Sequence, residues 1–346
     1  MKKYIISFLC LLMLTGCNSK NEVSTINIEF DNNYYQIYSP YKKGVANNYV
    51  VSNILNNYDV LDVENSLMEL STTYFKTNNS YYQAGQYLKE SELKTLLGSE
   101  QLNNTTSLNI DNININPIYI SSIYEQNYLA SNGHLKGISL ALVLNPYQAY
   151  QNGYGSYNYK TIDSNKLLEF GKNAANKLLK YMYSKEQLID TKILVALYFQ
   201  RSPGAILPDG FKYMGVTNKD SVELQPINYQ YHYLKSDYVI KNDVNVTTSF
   251  GNLEKITKNN FSTIYMNGKG LYQDNILKDV EIDVVNSTFS KSELLYLCQI
   301  LSQEIGKSFD SKLDVRVYIK SNSQILALIT KEKNTQKSNV YIMRGW

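Results

Sequence analysis

Two stretches of this chain carry the same kinds of segment in the same order, and that duplication limits the fold more than any other feature. In the first, residues 135–144 form a near-continuous apolar run, which predicts a strand buried on both faces. Residues 166–182 follow with Leu167, Phe170, Ala174, Leu178 and Tyr181 at helical spacing. Residues 191–199 predict a further strand, and 204–213 an extended segment with a turn inside it. In the second stretch, residues 277–285 alternate as a half-buried strand does. Ser290 then opens a helix running to about Phe309, with Glu293 at the capping-box position. Residues 313–319 alternate again, and 324–330 pair naturally behind them. Both stretches read β-α-β-β. Upstream, residues 74–87 echo residues 260–272.

A helix-bearing crossover lets the strands on either side of it lie parallel, and the strand that follows adds an antiparallel pair. The expected fold class is therefore α+β, with two tandem β-α-β-β-containing repeats and mixed sheets each covered by helix. The expected division is a leader at 1–16, a tether at 17–28, a first repeat domain at 29–217, a Pro-containing polar connector at 218–228 and a second repeat domain at 229–346. The first repeat carries two insertions without counterparts in the second. Residues 88–116 are helical and then Asn-rich, and 145–160 form a Tyr/Gly loop.

The N-terminus has a different character. Lys2 and Lys3 precede an apolar run over residues 4–14, followed by Thr15, Gly16 and Cys17. That is the layout of a secretory signal peptide, and Gly16 interrupts the run well short of the ~20 apolar residues a spanning helix needs. The ending Leu14-Thr15-Gly16-Cys17 is similar to a bacterial lipobox, in which cleavage between Gly16 and Cys17 leaves Cys17 acylated. Acyl chains such as palmitate then anchor the protein, each buried methylene contributing roughly 0.8 kcal/mol. The expected location is the extracellular face of a bacterial cell membrane, with membrane lipid as a partner through Cys17.

Composition narrows the function. Among 346 residues, 34 Lys and Arg against 31 Asp and Glu give a net +3, and loss of residues 1–16 lowers this to +1. Such a balance argues against a nucleic-acid partner, which calls for concentrated positive charge. An AT-rich coding sequence accounts for the 32 tyrosines, and for arginine occurring only at 201, 316 and 344. After processing, Cys298 is the only free thiol, inside an apolar helical stretch where it reads as a small buried hydrophobe.

No metal or cofactor is expected. His134, His232 and Cys298 lie far apart, without the spacing of a zinc site. Neither His-Glu-x-x-His nor Gly-x-Ser-x-Gly occurs. Gly306-Lys-Ser308 imitates the end of a phosphate loop but closes a helix. Glu125, Asp209 and Asp283 are carboxylates that nothing pairs in sequence. The remaining candidates are Tyr147, Tyr150, Tyr154, Tyr157 and Tyr159 of the Tyr/Gly loop, each with an apolar ring and a hydroxyl suited to a protein or glycan of the cell envelope.

Several segments, taken together, resemble the CamS-type sex-pheromone lipoprotein family of Gram-positive bacteria. They are the lipobox at Cys17, Tyr34-Tyr-Gln-Ile-Tyr-Ser-Pro-Tyr41, Leu70-Ser-Thr-Thr-Tyr-Phe75, Tyr82-Gln-Ala-Gly-Gln-Tyr-Leu88, Ile123-Tyr-Glu-Gln-Asn-Tyr-Leu129, Lys136-Gly-Ile-Ser-Leu-Ala-Leu-Val-Leu-Asn145 and Val195-Ala-Leu-Tyr-Phe-Gln200. The resemblance covers nearly the whole mature chain and implies tandem repeats. It also implies that the leader, here residues 10–16, is a source of a short apolar pheromone peptide. The expected function is a membrane-anchored lipoprotein whose mature part binds or signals without catalysis. The alternative is a cell-envelope enzyme acting on wall polymers at a site between the repeats.

Overall fold

The computed structural model describes residues 34–344, apart from 55–56, 111 and 219–220. The first half builds one large sheet. β1 (Gln36–Ile37) is followed by helices α1 (Asn47–Asn53) and α2 (Asn57–Ser71), then β2 (Tyr81–Ala84) and α3 (Glu90–Leu96). The Asn-rich insertion folds as a hairpin, β3 (Leu108–Ile110) and β4 (Ile113–Ile115). β5 (Ile120–Leu129) and β6 (Leu135–Leu144) form the centre of the sheet. A second hairpin, β7 (Tyr147–Gln151) and β8 (Tyr157–Thr161), precedes α4 (Ser164–Tyr183). β9 (Lys192–Phe199), β10 (Gly210–Asn218), β11 (Ser221–Val222) and β12 (Gln225–Pro226) complete it. The order is β1-β2-β5-β6-β9-β10-β11, with β12 also on β10. Residues 218–228 therefore contribute two short strands to this sheet.

The second half builds a six-stranded sheet. Its elements are β13 (Tyr229–Tyr233), α5 (Asp237–Asn242), α6 (Val244–Asn260), β14 (Tyr265–Gln273), β15 (Ile276–Asn286), α7 (Lys291–Ser308), β16 (Asp314–Ser321), β17 (Gln324–Lys331) and β18 (Ser338–Ile342). Its strands lie in sequence order, β13 to β18.

The repeated unit is visible in the pairing. β5 runs antiparallel to β6, α4 crosses over, β9 lies parallel to β6, and β10 returns antiparallel. β14, β15, α7, β16 and β17 follow the same path. The unit is thus mixed α+β, with one antiparallel strand more at its front than the β-α-β-β reading held. The echo between residues 74–87 and 260–272 joins strands in unlike places. β14 takes the position of β5, whereas β2 lies outside β5, between it and β1.

Helix placement differs between the sheets for a reason written in the strands. In β6, Ile138, Leu140, Leu142 and Leu144 face α4, whose Gly171 comes close to Leu144 and Leu197. The other face of β6 carries Gly137, Ser139, Ala141 and Val143, small enough for a second helix to approach. Ser71 of α2 meets Ser139 there at 2.6 Å between hydroxyls, and the Phe75 ring fills the space a side chain at Gly137 would need. The first sheet is covered on both faces. The second sheet has alternating strands, with Val280, Ile282, Val284, Val315, Val317 and Ile319 buried beneath α6 and α7. Its opposite face is charged: Lys269 pairs with Glu281 at 3.1 Å, Lys320 with Asp283 at 2.5 Å, and Arg316 with Asp279.

Caps fix where the crossover helices begin. Asp163 accepts the Asn165 and Lys166 N–H groups at 3.0 Å each. Ser290 and Glu293 form the reciprocal capping box, with Ser290 N–H donating to Glu293 at 2.7 Å. Leu294, Leu297, Cys298, Leu301 and Ile305 of α7 are buried, and truncating one such leucine costs about 2–5 kcal/mol.

The second half has its own core beneath α6 and α7. A fragment of residues 229–346 is expected to unfold in urea as one cooperative transition. A broad, non-cooperative loss of helix signal would show that this half needs the first in order to fold.

Candidate functional site

The segment read from sequence as a Tyr/Gly loop is a projecting hairpin held by its root. Tyr147 pairs with Thr161, Ala149 with Tyr159 and Gln151 with Tyr157. Gln148 is buried and fixes the base: its amide donates to the Asn145 and Ile118 carbonyls at 2.8 and 3.2 Å, and its carbonyl accepts from Ile118 N–H at 2.9 Å. At the tip, Asn152 Oδ1 accepts from Tyr154 and Ser156 N–H, while Gly155 takes φ +81, a conformation that favours glycine. Side chains of a strand alternate, so cross-strand partners share a face. Tyr147, Tyr157 and Tyr159 lie on one face and Tyr150 on the other, with Tyr154 at the tip. Tyr154, Tyr157 and Tyr159 are 97%, 74% and 53% exposed, whereas Tyr147, at the root, and Tyr150, nearer the tip, are half-buried. The five candidates do not form one surface: Tyr157 and Tyr159 share an exposed face, and Tyr154 stands out at the tip.

The candidate carboxylates are engaged by the protein itself. Glu125 points into the bend after β2, where Gln86 and Tyr87 N–H donate to Oε1 at 2.8 and 3.0 Å and Leu88 N–H to Oε2 at 2.7 Å. Burial pushes this carboxyl up from the ordinary glutamate range, and the three backbone donors oppose the shift. Gly85 leaves room for this, since a Cβ there would lie 2.8 Å from Glu125 Cβ. The stretch Tyr82–Leu88 is therefore a wrapping around one carboxylate. Asp209 pairs with Lys212 at 2.8 Å, and Asp283 with Lys320. His134 is exposed in a turn, and His232 stacks on Tyr238 at 3.8 Å between centroids. Cys298 is buried, which holds its thiol near pKa 11. Among the described residues, no group of three His, Cys, Asp or Glu side chains is placed to hold a metal ion. No helix of the described residues is long and apolar enough to cross a membrane. Gly16 and Cys17 lie outside the described residues.

A second polar cluster, which sequence reasoning missed, joins the halves. Asp59 and Asp62 lie in the first turns of α2. Arg201 Nε donates to Asp59 Oδ1 at 2.6 Å, and its guanidinium also reaches the Ile206 carbonyl. The Tyr198 hydroxyl stands 3.0 Å from Asp59 Oδ1 and 2.8 Å from Asp62 Oδ2. From β13, Tyr231 donates to Asp62 Oδ1 at 3.1 Å. Asp59 and Arg201 are almost wholly buried. Burial pushes the Asp62 carboxyl up, against the hydrogen bonds of Tyr198 and Tyr231. The available signal was arginine itself: in a chain with three, two take part in seams between elements, Arg201 with Asp59 and Arg316 with Asp279.

The sequence profile of the CamS sex pheromone cAM373 precursor family matches residues 41–337, a span containing every strand of the two sheets except the end strands β1 and β18, together with the hairpin and the Asp59–Arg201 cluster. The chain belongs to this family. Among solved structures, it is similar to the sex pheromone precursor of Lactobacillus salivarius subsp. salivarius UCC118, with 23% identity and a TM-score of 0.82 over 92% of this chain and 98% of that one. It is also similar to the C-terminal domain of the staph-cAM373 sex pheromone precursor of Staphylococcus aureus, at 23% identity and a TM-score of 0.73 over 85% and 99%. At that identity the likeness is one of fold, and it establishes this CamS member as the same mixed α+β architecture. No curated protein matches the chain.

Removing one partner of a buried pair strands the other. Arg201→Ala is expected to cost about 3–5 kcal/mol in urea unfolding, because Asp59 would be left buried without its partner. The double variant Asp59→Leu/Arg201→Met should recover most of that loss. A single-variant cost below about 1 kcal/mol would show that the pair contributes nothing to the fold.

Proposed function

We propose that this CamS family member is a lipoprotein, anchored through acylated Cys17 on the outer face of a Gram-positive cell membrane, whose mature part works by binding rather than catalysis. Its leader, residues 10–16, is the source of a released peptide. The binding face is the outer side of the β7–β8 hairpin, and its ligand is a protein or glycan of the envelope. The observation that carries this reading is the contrast between the two kinds of candidate. Three tyrosines stand out from a rigidly rooted hairpin, whereas the carboxylates are taken up by backbone N–H groups and by lysines. Tyrosines on a rigid scaffold offer a large contact area with little loss of conformational freedom.

The alternative, an envelope enzyme with a site between the repeats, draws support from the raised carboxyl of Asp62. There, however, three of the four Asp59 and Asp62 oxygens are already occupied by Arg201, Tyr198 and Tyr231. Such a network suits joining two halves better than turning over a substrate.

Two experiments bear on this reading. Cys17→Ser is expected to abolish incorporation of a radiolabelled fatty acid, because serine cannot form the thioether; equal label in both chains would remove the anchor. For the binding face, Tyr154→Ser/Tyr157→Ser/Tyr159→Ser should change stability by less than about 0.5 kcal/mol, as exposed substitutions do. The same variant should lose cosedimentation with an isolated Gram-positive cell-envelope fraction. Undiminished cosedimentation would place the face elsewhere.

A further inference from the structure

The first described segment of the chain makes an unusual sheet edge. Gln36 and Ile37 pair in parallel with Tyr81 and Tyr82, Val45 N–H donates to the Gly85 carbonyl at 3.0 Å, and the Lys43 carbonyl accepts from Gln86 Nε2 at 2.9 Å. Residues 34–45 thus line the β1–β2 edge of the first sheet. Tyr35 turns inward and packs on Tyr128, with ring centroids 4.9 Å apart. Tyr34, Ile37, Tyr41 and Val45 are instead 60%, 47%, 71% and 45% exposed. Lys42 and Lys43 stand exposed among them, and the twelve residues contain no acid. Scattered exposed apolar side chains are ordinary, but four along one short edge beside two lysines call for a partner.

We propose that this edge is a membrane-contact surface, resting on the anionic headgroups of the bilayer that holds Cys17. The inference deepens the lipoprotein reading and rests on it for geometry. Sixteen residues separate Cys17 from Tyr34. A chain of that length reaches at most about 55 Å, whatever its conformation. The edge is therefore the part of the fold that follows directly on the anchor, held at a local concentration where weak affinity suffices. Tyrosine suits the interface between headgroups and acyl chains, with the ring on the apolar side and the hydroxyl in water. Lysines near an anionic leaflet add attraction that fades within a Debye length.

The contact gives the molecule an attitude rather than its anchorage. Gln36 aligns through Tyr81 and Leu129 with Leu135, where β6 begins, and the β7–β8 hairpin leaves after Leu144, where β6 ends. At 3.3 Å per residue that is about 30 Å of strand between the Tyr34 end of the edge and the root of the hairpin. The tyrosines of the hairpin are thereby carried away from the point at which the chain rises from the membrane.

The test uses the mature-length chain without lipid, residues 17–346 carrying Cys17→Ser, so that it does not depend on acylation. The expected result is cosedimentation with phosphatidylglycerol/phosphatidylcholine (1:1) vesicles and weak binding to phosphatidylcholine alone. Lys42→Gln/Lys43→Gln should bind the mixed vesicles about thirty-fold more weakly, each lysine near the surface counting for about five-fold. Ile37→Ser/Tyr41→Ser should also weaken binding. Lys177→Gln/Lys180→Gln, which removes the same charge from the exposed side of α4, should leave it unchanged. Equal losses at the edge and on α4 would reduce the attraction to general charge and overturn the proposal, as would no loss at the edge or no vesicle binding at all. Absent fatty-acid label at Cys17 with vesicle binding intact would remove the anchor and leave the contact surface standing.

Discussion

Asp59 anchors the buried polar network whose outer member, Asp62, meets the second half, beside the apolar packing of Tyr229 in the first core. A carboxylate at a fully buried position is costly unless it is met by a cation and hydrogen bonds, and Arg201 supplies the cation from beyond the far end of β9. Tyr198 passes the interaction on to Asp62, and Asp62 receives Tyr231 from the second sheet. Because α2 is also the helix whose Ser71 sits against Ser139, one element is tied at once to the centre of the first sheet and to the edge strand of the second. Lysine could supply the charge, but its donors sit on one nitrogen, whereas Arg201 uses two separate nitrogens for Asp59 and the Ile206 carbonyl.

The sheets obtain their different surroundings from strand patterning. Strands that are apolar at nearly every position, such as β6 and β9, need cover on both sides, and helices α2 and α4 provide it. Strands that alternate, such as β15 and β16, need cover on one side only. Their charged face is half-buried and carries cross-strand ion pairs that contribute little individually, with Glu69 of α2 approaching Asp279 and Arg316.

This explains what was legible in the sequence. The apolar run 135–144, the stripe through 166–182, the alternation at 277–285 and 313–319 and the Ser290–Glu293 box each carry a local signature, and each element lies where it was expected within a residue or two. α1, α2, α5 and α6 were not read, because they mix apolar residues with Asn, Asp and Tyr and acquire their sidedness from what they pack against. The Tyr/Gly segment looked like a loop since nothing in it announces Gln148 as a buried anchor. Glu125 was visible as a carboxylate, but its purpose depends on three N–H groups about 38 residues away in sequence. The Asp59–Arg201 pair is separated by 142 residues and had no local trace beyond the scarcity of arginine.

That separation has a consequence for the order in which the molecule assembles. A chain made from its N-terminus produces α2 long before Arg201 exists, and contacts so distant in sequence close slowly because a large loop must first be brought together. Until then burial of Asp59 lacks its cation, which disfavours the settling of the first turn of α2. The second sheet is built from neighbours in sequence order and needs no such wait. Its edge strand meets Asp62 beside Tyr198, so docking of the two halves is expected to come after the first sheet has closed.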